Sequence, residues 1–298
     1  MILELFTPII NSRLHLANDP HIPPLRDVIR RYELFARKSL GQHFLLDGNI
    51  TDKIAHYAGD LEGINVIEIG SGPGGLTRSL LKTKATCVYA VEKDERCIAA
   101  IKELQDVYGE RLIIIAKDAL KFSIPENVAA PRAIIANLPY NIGTPLLFNW
   151  LDDIARDPKA YNFLTLMFQK EVAERLFAER DTSGYGRLAV MTQWLCDVEH
   201  GFDLPANAFT PPPKVTSSVV ILTPLAKPRY PAEKDALEAT LAAAFGQRRK
   251  MLRSALSTIS NKAESWLVAA NIDPTRRAET LSIEEFCALA RLLGDYRA

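Results

Sequence analysis

The chain has 298 residues, 48% of them hydrophobic, and its 36 Lys and Arg balance 36 Asp and Glu to a formal net charge of zero. That size supports a large core in two domains, and the charge balance by itself says nothing for nucleic acid. Five scattered histidines form no ligand set, so no metal is expected; the four cysteines lack C-x-x-C spacing and read as buried thiols of a reducing cytosol; no Gly-x-Ser-x-Gly elbow points to a serine hydrolase.

In chain order, residues 1–22 open without a basic segment, and their apolar stretch is too short for a signal or membrane helix. A cytoplasmic protein with an N-terminal tail, closed by Pro20, Pro23 and Pro24, is expected. The run Asn65 to Ile69 is an apolar strand that enters Gly70-Ser71-Gly72-Pro73-Gly74-Gly75 and then the helical pattern Leu76, Leu80, Leu81. Glycines here permit a tight turn and close approach of a ligand, as at the first crossover of a doubly wound sheet. Glu92 ends the next run, Cys87 to Val91, where a carboxylate binds ribose hydroxyls, and Asp118 closes the following run, 111 to 116.

Gly70, Gly72 and Gly75 also satisfy G-x-G-x-x-G, so the loop alone admits a dinucleotide. Glu68, Glu92 and Asp118, acidic residues on three successive strands, suit a cofactor with a cationic centre and a nucleoside, S-adenosylmethionine, better than a pyrophosphate. Asp118 taken alone reads rather as a helix N-cap or turn aspartate, and Glu68 reads as a support for the glycine loop rather than a base.

The run Ala133 to Ala136 leads into Asn137-Leu138-Pro139-Tyr140. An aromatic amine is a poor nucleophile because its lone pair is delocalised into the ring, so a methylating enzyme must hold the nitrogen with that lone pair aimed at the donor. The Asn137 side-chain oxygen and the Leu138 carbonyl can accept its two protons, Pro139 fixes the turn, and Tyr140 offers a flat face to a flipped-out base. A strand ending in an ordinary proline turn is the plain alternative for these four letters.

Further strand-like runs at 163 to 169, 196 to 202 and 217 to 223, the last two joined by a proline-rich loop, complete an α/β pattern with an antiparallel finish. After Pro224, Pro228 and Pro231 only helical spacing remains, for example Leu252, Ala255, Leu256 and Ile259. Two stretches, Leu204 to Ala232 and Ala239 to Ala263, carry bases; in the first only Lys214, Lys227 and Arg229 stand, in the second Arg248, Arg249, Lys250, Arg253 and Lys262. Such stretches suit a phosphate backbone, with Arg249 and Arg253 one helical turn apart; a solvated helix face is the alternative.

Four segments, Arg37 to Asp47, the glycine loop, Asn137 to Tyr140 and Phe209 to Ser218, stand in the order and spacing of the ribosomal RNA adenine dimethyltransferases, the KsgA/RsmA family, which the chain resembles from about Pro24 to its C-terminus. The resemblance implies a Rossmann-like seven-stranded S-adenosylmethionine-dependent methyltransferase domain over 23–228 and a small all-helical RNA-binding domain over 229–298. It implies that His43, Leu45, Gly70, Gly72, Glu92, Asp118 and Asn137 line the cofactor, that Asn137, Leu138, Pro139, Tyr140 and Phe209 form the acceptor site, and that Arg37, Lys38, Arg248, Arg249, Lys250 and Arg253 hold RNA. His43 departs from the family, most of whose members have asparagine there. Phe209 is expected to sandwich the adenine against Tyr140, because Pro211 to Pro213 make its segment a loop; a plain core residue is the alternative.

The implied activity is N6,N6-dimethylation of two adjacent adenosines in a hairpin near the 3′ end of small-subunit (16S) ribosomal RNA. The implied setting is small-subunit biogenesis, with a monomer acting on the RNA or a pre-30S particle and no membrane partner. A large-subunit ribosomal RNA adenine-N6 methyltransferase, a DNA adenine methyltransferase, and a non-catalytic RNA or transcription-complex binding protein are the competing readings. The intact Asn137 motif and Glu92 argue against the last.

Overall fold

The sequence runs that lack polar interruption become strands buried on both faces, which is what a parallel sheet under two helical layers requires. The computed structural model describes residues 22–36 and 41–297; the expected N-terminal tail lies outside them except for Ile22. In chain order the strands are β1 (Phe44–Leu45), β2 (Asn65–Ile69), β3 (Cys87–Glu92), β4 (Leu112–Ala116), β5 (Arg132–Asn137), β6 (Leu164–Gln169), β7 (Cys196–Leu204), β8 (Phe209–Thr210) and β9 (Ser217–Pro224). Seven of them form one sheet ordered β4-β3-β2-β5-β6-β9-β7. The first five are parallel, while β9 runs antiparallel to both β6 and β7, so the proline-rich connection does close an antiparallel finish.

α1 (Leu25–Arg31) precedes the strands, and between them lie α2 (Gly48–Tyr57), α3 (Gly75–Leu81), α4 (Glu95–Tyr108), α5 (Ile124–Asn127), α6 (Gly143–Arg156), α7 (Lys170–Leu176) and α8 (Arg187–Leu195). Alternation along the strands divides the core. Val66, Val88, Ala133 and Ile135 point into one apolar cluster with α2, α3 and α4, whereas Ile67, Ile69, Ile134 and Ala136 point into another with α6 and α8. α6 shows why: Leu146, Leu147, Trp150, Leu151 and Ile154 repeat on one helical face and are buried. Asp47 and Asp94 cap α2 and α4 by accepting from the Asn49 and Arg96 amides at 2.9 and 3.2 Å.

The C-terminal part is α9 (Lys234–Gly246), α10 (Leu252–Leu256), α11 (Ala263–Ala269) and α12 (Ile283–Arg297), with no strand among its described residues. Its apolar residues, including Leu241, Trp266 and Phe286, share one cluster with Val190 and Trp194 of α8. The helical region therefore continues the core of the sheet rather than forming a separate one. No helix among the described residues is long and apolar enough to cross a membrane.

Candidate active site

Strand order reverses at β2: the chain moves outward to β3 and β4, then returns to place β5 on the other side. Ligands bind in open α/β sheets at such a crevice, beyond the strand C-termini. Here the crevice is a cleft lined by residues 41–45, the glycine loop, Glu92, Lys93, Lys117, Asp118 and residues 137–142.

The glycine loop follows β2. Gly70, Gly72 and Gly74 take φ of +69°, +56° and +87°, left-handed values that favour glycine. At Gly75 a Cβ would lie 2.5 Å from the Leu45 carbonyl oxygen, so β1 rests directly on the loop and Leu45 reaches the cleft through its backbone neighbourhood.

Glu92, at the end of β3, is buried and accepts three backbone N–H groups. Gly72 donates to Oε2 at 2.9 Å, and Lys93 and Asp94 donate to Oε1 at 2.7 and 2.8 Å. Oε1 is thereby filled, and the acceptor capacity left for a ribose hydroxyl is on Oε2. Glu92 thus also holds the glycine loop, the role the sequence assigns to Glu68. Glu68 instead accepts from the Thr77 hydroxyl at 2.5 Å and supports α3; burial pushes its carboxyl up to about 8. Asp118 lines the cleft and is also the cap that the plain reading expects: it accepts from the Leu120 amide at 3.1 Å, which holds its carboxyl below the ordinary value, and meets Lys93 Nζ at 3.4 Å.

The acceptor motif leaves β5 beside this loop. The Asn137 side-chain amide donates to the His43 carbonyl at 3.1 Å, which turns Oδ1 the other way as a free acceptor. The Leu138 side chain is buried, and the Pro139 carbonyl accepts from Ile142 and Gly143 amides, closing the turn. Tyr140 shares a 2.6 Å hydrogen bond with the Ser217 hydroxyl, and burial raises its phenol above the ordinary value. The His43 ring stacks on it at 5.2 Å between centroids with a 29° tilt. Gly41 sits so close that a Cβ would lie 2.8 Å from Asn141 Oδ1, so one segment, 41–45, clasps both the glycine loop and the acceptor motif.

Two expected site assignments need correction. Phe209 is in a strand, not a loop: β8 pairs antiparallel with β1, Leu45 opposite Phe209. Its ring is 2% exposed in the cluster holding Leu45 and Leu204, outside the cleft lining, so it presents no face to a base in this conformation. Arg248 to Lys250 occupy a turn between α9 and α10 rather than a helix face, so Arg249 and Arg253 are not stacked on one helix. Arg249, Lys250 and Arg253 are exposed, whereas Arg248 is half-buried and donates to the Thr182 carbonyl at 3.1 Å. Arg37 and Lys38 lie outside the described residues. Arg229, in the other basic stretch, is bound to Asp197 at 2.7 Å.

Sequence reasoning passed over Ser71 and Ser217. The Ser71 hydroxyl is buried in the cleft wall with no hydrogen-bond partner. That orphaned group, the charge of Glu92 and the close-approach glycines fit a nucleoside cofactor with a cationic centre. Its signal was only its place between two loop glycines; Ser217 stood in the segment Phe209 to Ser218, but nothing local pairs it with Tyr140, 77 residues away.

The family model described as ribosomal RNA adenine dimethylase matches residues 34–295. A protein of Jannaschia sp. (strain CCS1) named ribosomal RNA small subunit methyltransferase A is 53% identical over 274 residues, 92% of this chain and 94% of that protein. One of Rhizobium etli (strain CIAT 652) with the same name is 56% identical over 274 residues, 91% and 98% of the two chains. Among solved structures, a dimethyladenosine transferase from Plasmodium falciparum superposes with a TM-score of 0.69 at 27% identity, covering 85% of this chain and 98% of that one. The 23S rRNA methyltransferase ErmE superposes with 0.60 at 24% identity, covering 84% and 99%, and shares the fold.

Proposed function

The chain belongs to the ribosomal RNA adenine dimethylase family, and on that premise we propose that it dimethylates two adjacent adenosines in a hairpin near the 3′ end of small-subunit ribosomal RNA. It is a ribosomal RNA adenine methyltransferase that uses S-adenosylmethionine. The cofactor supplies, when bound, a methyl group on a sulfonium.

The observation that carries the residue roles is the Asn137 amide fixed on the His43 carbonyl. With Nδ2 committed, Oδ1 is the acceptor offered to the target amine, and the Leu138 carbonyl is the second. Accepting both N–H groups holds the amine in place and makes its nitrogen lone pair more available to the methyl donor. Tyr140, held at its tip by Ser217, stacks on the extruded base. No strong base is needed, because the nitrogen becomes acidic once alkylated and releases its proton to water. On the donor side Glu92 accepts from the ribose, Asp118 from the adenine edge, and Ser71 takes up a polar group of the same ligand.

Residues 229–298 act as the RNA-binding unit, through Arg249, Lys250 and Arg253, whose exposure in the turn and on α10 suits phosphate contact. The protein works as a cytoplasmic monomer on the RNA or a pre-30S particle. Mass spectrometry of small-subunit ribosomal RNA from a deletion strain tests this. The paired dimethyladenosines should disappear and return on complementation; their persistence would refute the assignment.

A further inference from the structure

The edge strand β7 carries a bulge at Gly201: His200 pairs with Val220 and Phe202 with Val219, so Gly201 stands opposite no residue. A Cβ there would lie 3.0 Å from the Val219 carbonyl oxygen and 3.1 Å from the Tyr57 ring, a close approach that favours glycine. The extra residue turns His200 and Asp203, three apart, to the face of the sheet that Ser218 and Val220 share, while Phe202 and Leu204 turn to the face of Ser217 and Val219. On the first face Asp203 gathers three donors. Lys170 Nζ, at the head of α7, donates to Oδ2 at 2.6 Å, the Ser218 hydroxyl donates to Oδ1 at 2.6 Å, and His200 Nε2 lies 3.0 Å from the same oxygen. These partners hold the carboxyl well below the usual carboxylate range, so it is ionised at neutral pH. The Lys170 amide also donates to the Thr216 carbonyl at 2.9 Å. One carboxylate thus ties β7, β9 and the end of β6 together. It does so where Ser217, on the opposite face of β9, meets the Tyr140 hydroxyl at 2.6 Å.

We propose that Asp203 is a positioning residue of the acceptor site: by pinning Ser218 it fixes the start of β9 and so holds Ser217 where it grips Tyr140. This rests on the stacking role given above to Tyr140. The Lys170 and His200 side chains are 46% and 44% exposed, and exposed ion pairs add little to stability. Ser218 is buried, so it is the partner whose placement the cluster decides. Ser217 and Ser218 are consecutive, and a shift of one carries the other through the planar peptide between them. Without the carboxylate the buried Ser218 hydroxyl loses its acceptor, the start of β9 relaxes, and the tip of Tyr140 loses its fixed support. Asp203 touches neither base nor cofactor; it acts on the stacking ring through two adjacent serines.

The test uses the full-length protein with carbon-13 at the tyrosine Cζ, the Tyr140 resonance being identified by its loss in Tyr140→Phe. Methyl transfer to the ribosomal RNA hairpin is measured alongside, with S-adenosylmethionine saturating for each variant. Asp203→Ala should move the Tyr140 resonance in the direction that Ser217→Ala moves it. It should also raise the RNA KM by about fivefold, the low end of what a lost base–aromatic stack costs, with kcat within about twofold. Adding Asp203→Ala to Ser217→Ala should raise KM no further, because the carboxylate acts through that serine. Asp203→Asn keeps an oxygen for Ser218 and should restore both readings. If Asp203→Ala does not fold, Ser218→Ala, which removes the hydroxyl and leaves the ion pairs, carries the same expectations. An unmoved Tyr140 resonance, a wild-type KM, or a KM penalty that adds in the double variant would overturn the proposal. Failure of Asp203→Asn to restore the readings would assign the effect to the ion pairs and overturn it too. Tyr140→Ala separates this from the parent reading: a wild-type RNA KM there would refute the stacking role itself, whereas a raised KM there with none in Asp203→Ala refutes only the part given to Asp203.

Discussion

Replacing Glu68 by glutamine should stabilise the protein increasingly as pH rises. The side chain is buried, and desolvation lifts its carboxyl from 4.5 to about 8, against the bond from Thr77 and with help from the charge of Glu92. In the unfolded chain the group ionises near its ordinary value. Between these two values the folded state therefore holds a proton that the unfolded state has lost, and stability falls as pH rises through the window, by about 1.4 kcal/mol per unit. From pH 5 to pH 7 the loss amounts to roughly 2.5 kcal/mol. Glutamine cannot ionise, keeps an oxygen for the Thr77 hydroxyl, and fills nearly the same volume. Urea unfolding of both proteins at pH 5, 6 and 7 reads the difference, in which all other titrations cancel. The gap in favour of Glu68→Gln should widen with pH; parallel curves would show that Glu68 is ionised in the fold and that the burial argument fails.

Asn137→Ala removes one acceptor from the amine while Tyr140 still stacks, so transfer should fall by about a hundredfold with little change in RNA affinity; near-normal turnover under saturating cofactor and RNA would refute the role of Asn137. Glu92→Ala should weaken S-adenosylmethionine binding by about 1–3 kcal/mol and also lower stability, because three backbone N–H groups lose their acceptor; calorimetry showing unchanged affinity would take Glu92 out of the ribose site. Changing Arg249, Lys250 and Arg253 together to alanine should flatten the salt dependence of RNA binding by about 0.7 to 0.9 per lost phosphate contact and leave cofactor affinity alone; an unaltered slope would return them to ordinary solvated charges. Arg248 is left out of that set because its bond to the Thr182 carbonyl ties it to the fold.

The inner strands of the main sheet, β2, β3, β5, β6 and β9, were legible because each is a mostly apolar run, the mark of burial on both faces, whereas the edge strand β7 carries Asp197, Glu199, His200 and Asp203 and is largely uncovered. The glycine turn after β2 was legible too, since its glycines at positive φ are tied to local geometry. What stayed hidden is long-range. β1 and β8 are two residues each, too short for any period, and only their mutual pairing makes them strands and buries Phe209. Glu68 and Glu92 look alike in sequence; which one holds the loop depends on which carboxylate faces the Gly72 amide. A run such as Arg248 to Lys250 carries the same letters in a turn as on a helix, and nothing local separates them. Asn137's orientation depends on a carbonyl 94 residues away.

A Cβ on Gly70 would lie 3.2 Å from the Pro139 ring carbons. The loop that faces the donor and the turn that presents the acceptor thus abut with no slack, on strands that are hydrogen-bonded neighbours. On the roles proposed for the loop and the turn, such a contact works as a gauge that sets one transfer distance for the first methylation and the second alike. The substrate must do the adjusting, with the half-modified nitrogen turning about its own bond to the ring while the RNA stays held. On that reading the share of product that stops at one methyl is a clock of RNA residence time, and agents that shorten residence, salt foremost, should shift the yield toward monomethyladenosine; a product ratio that does not change with salt would refute it.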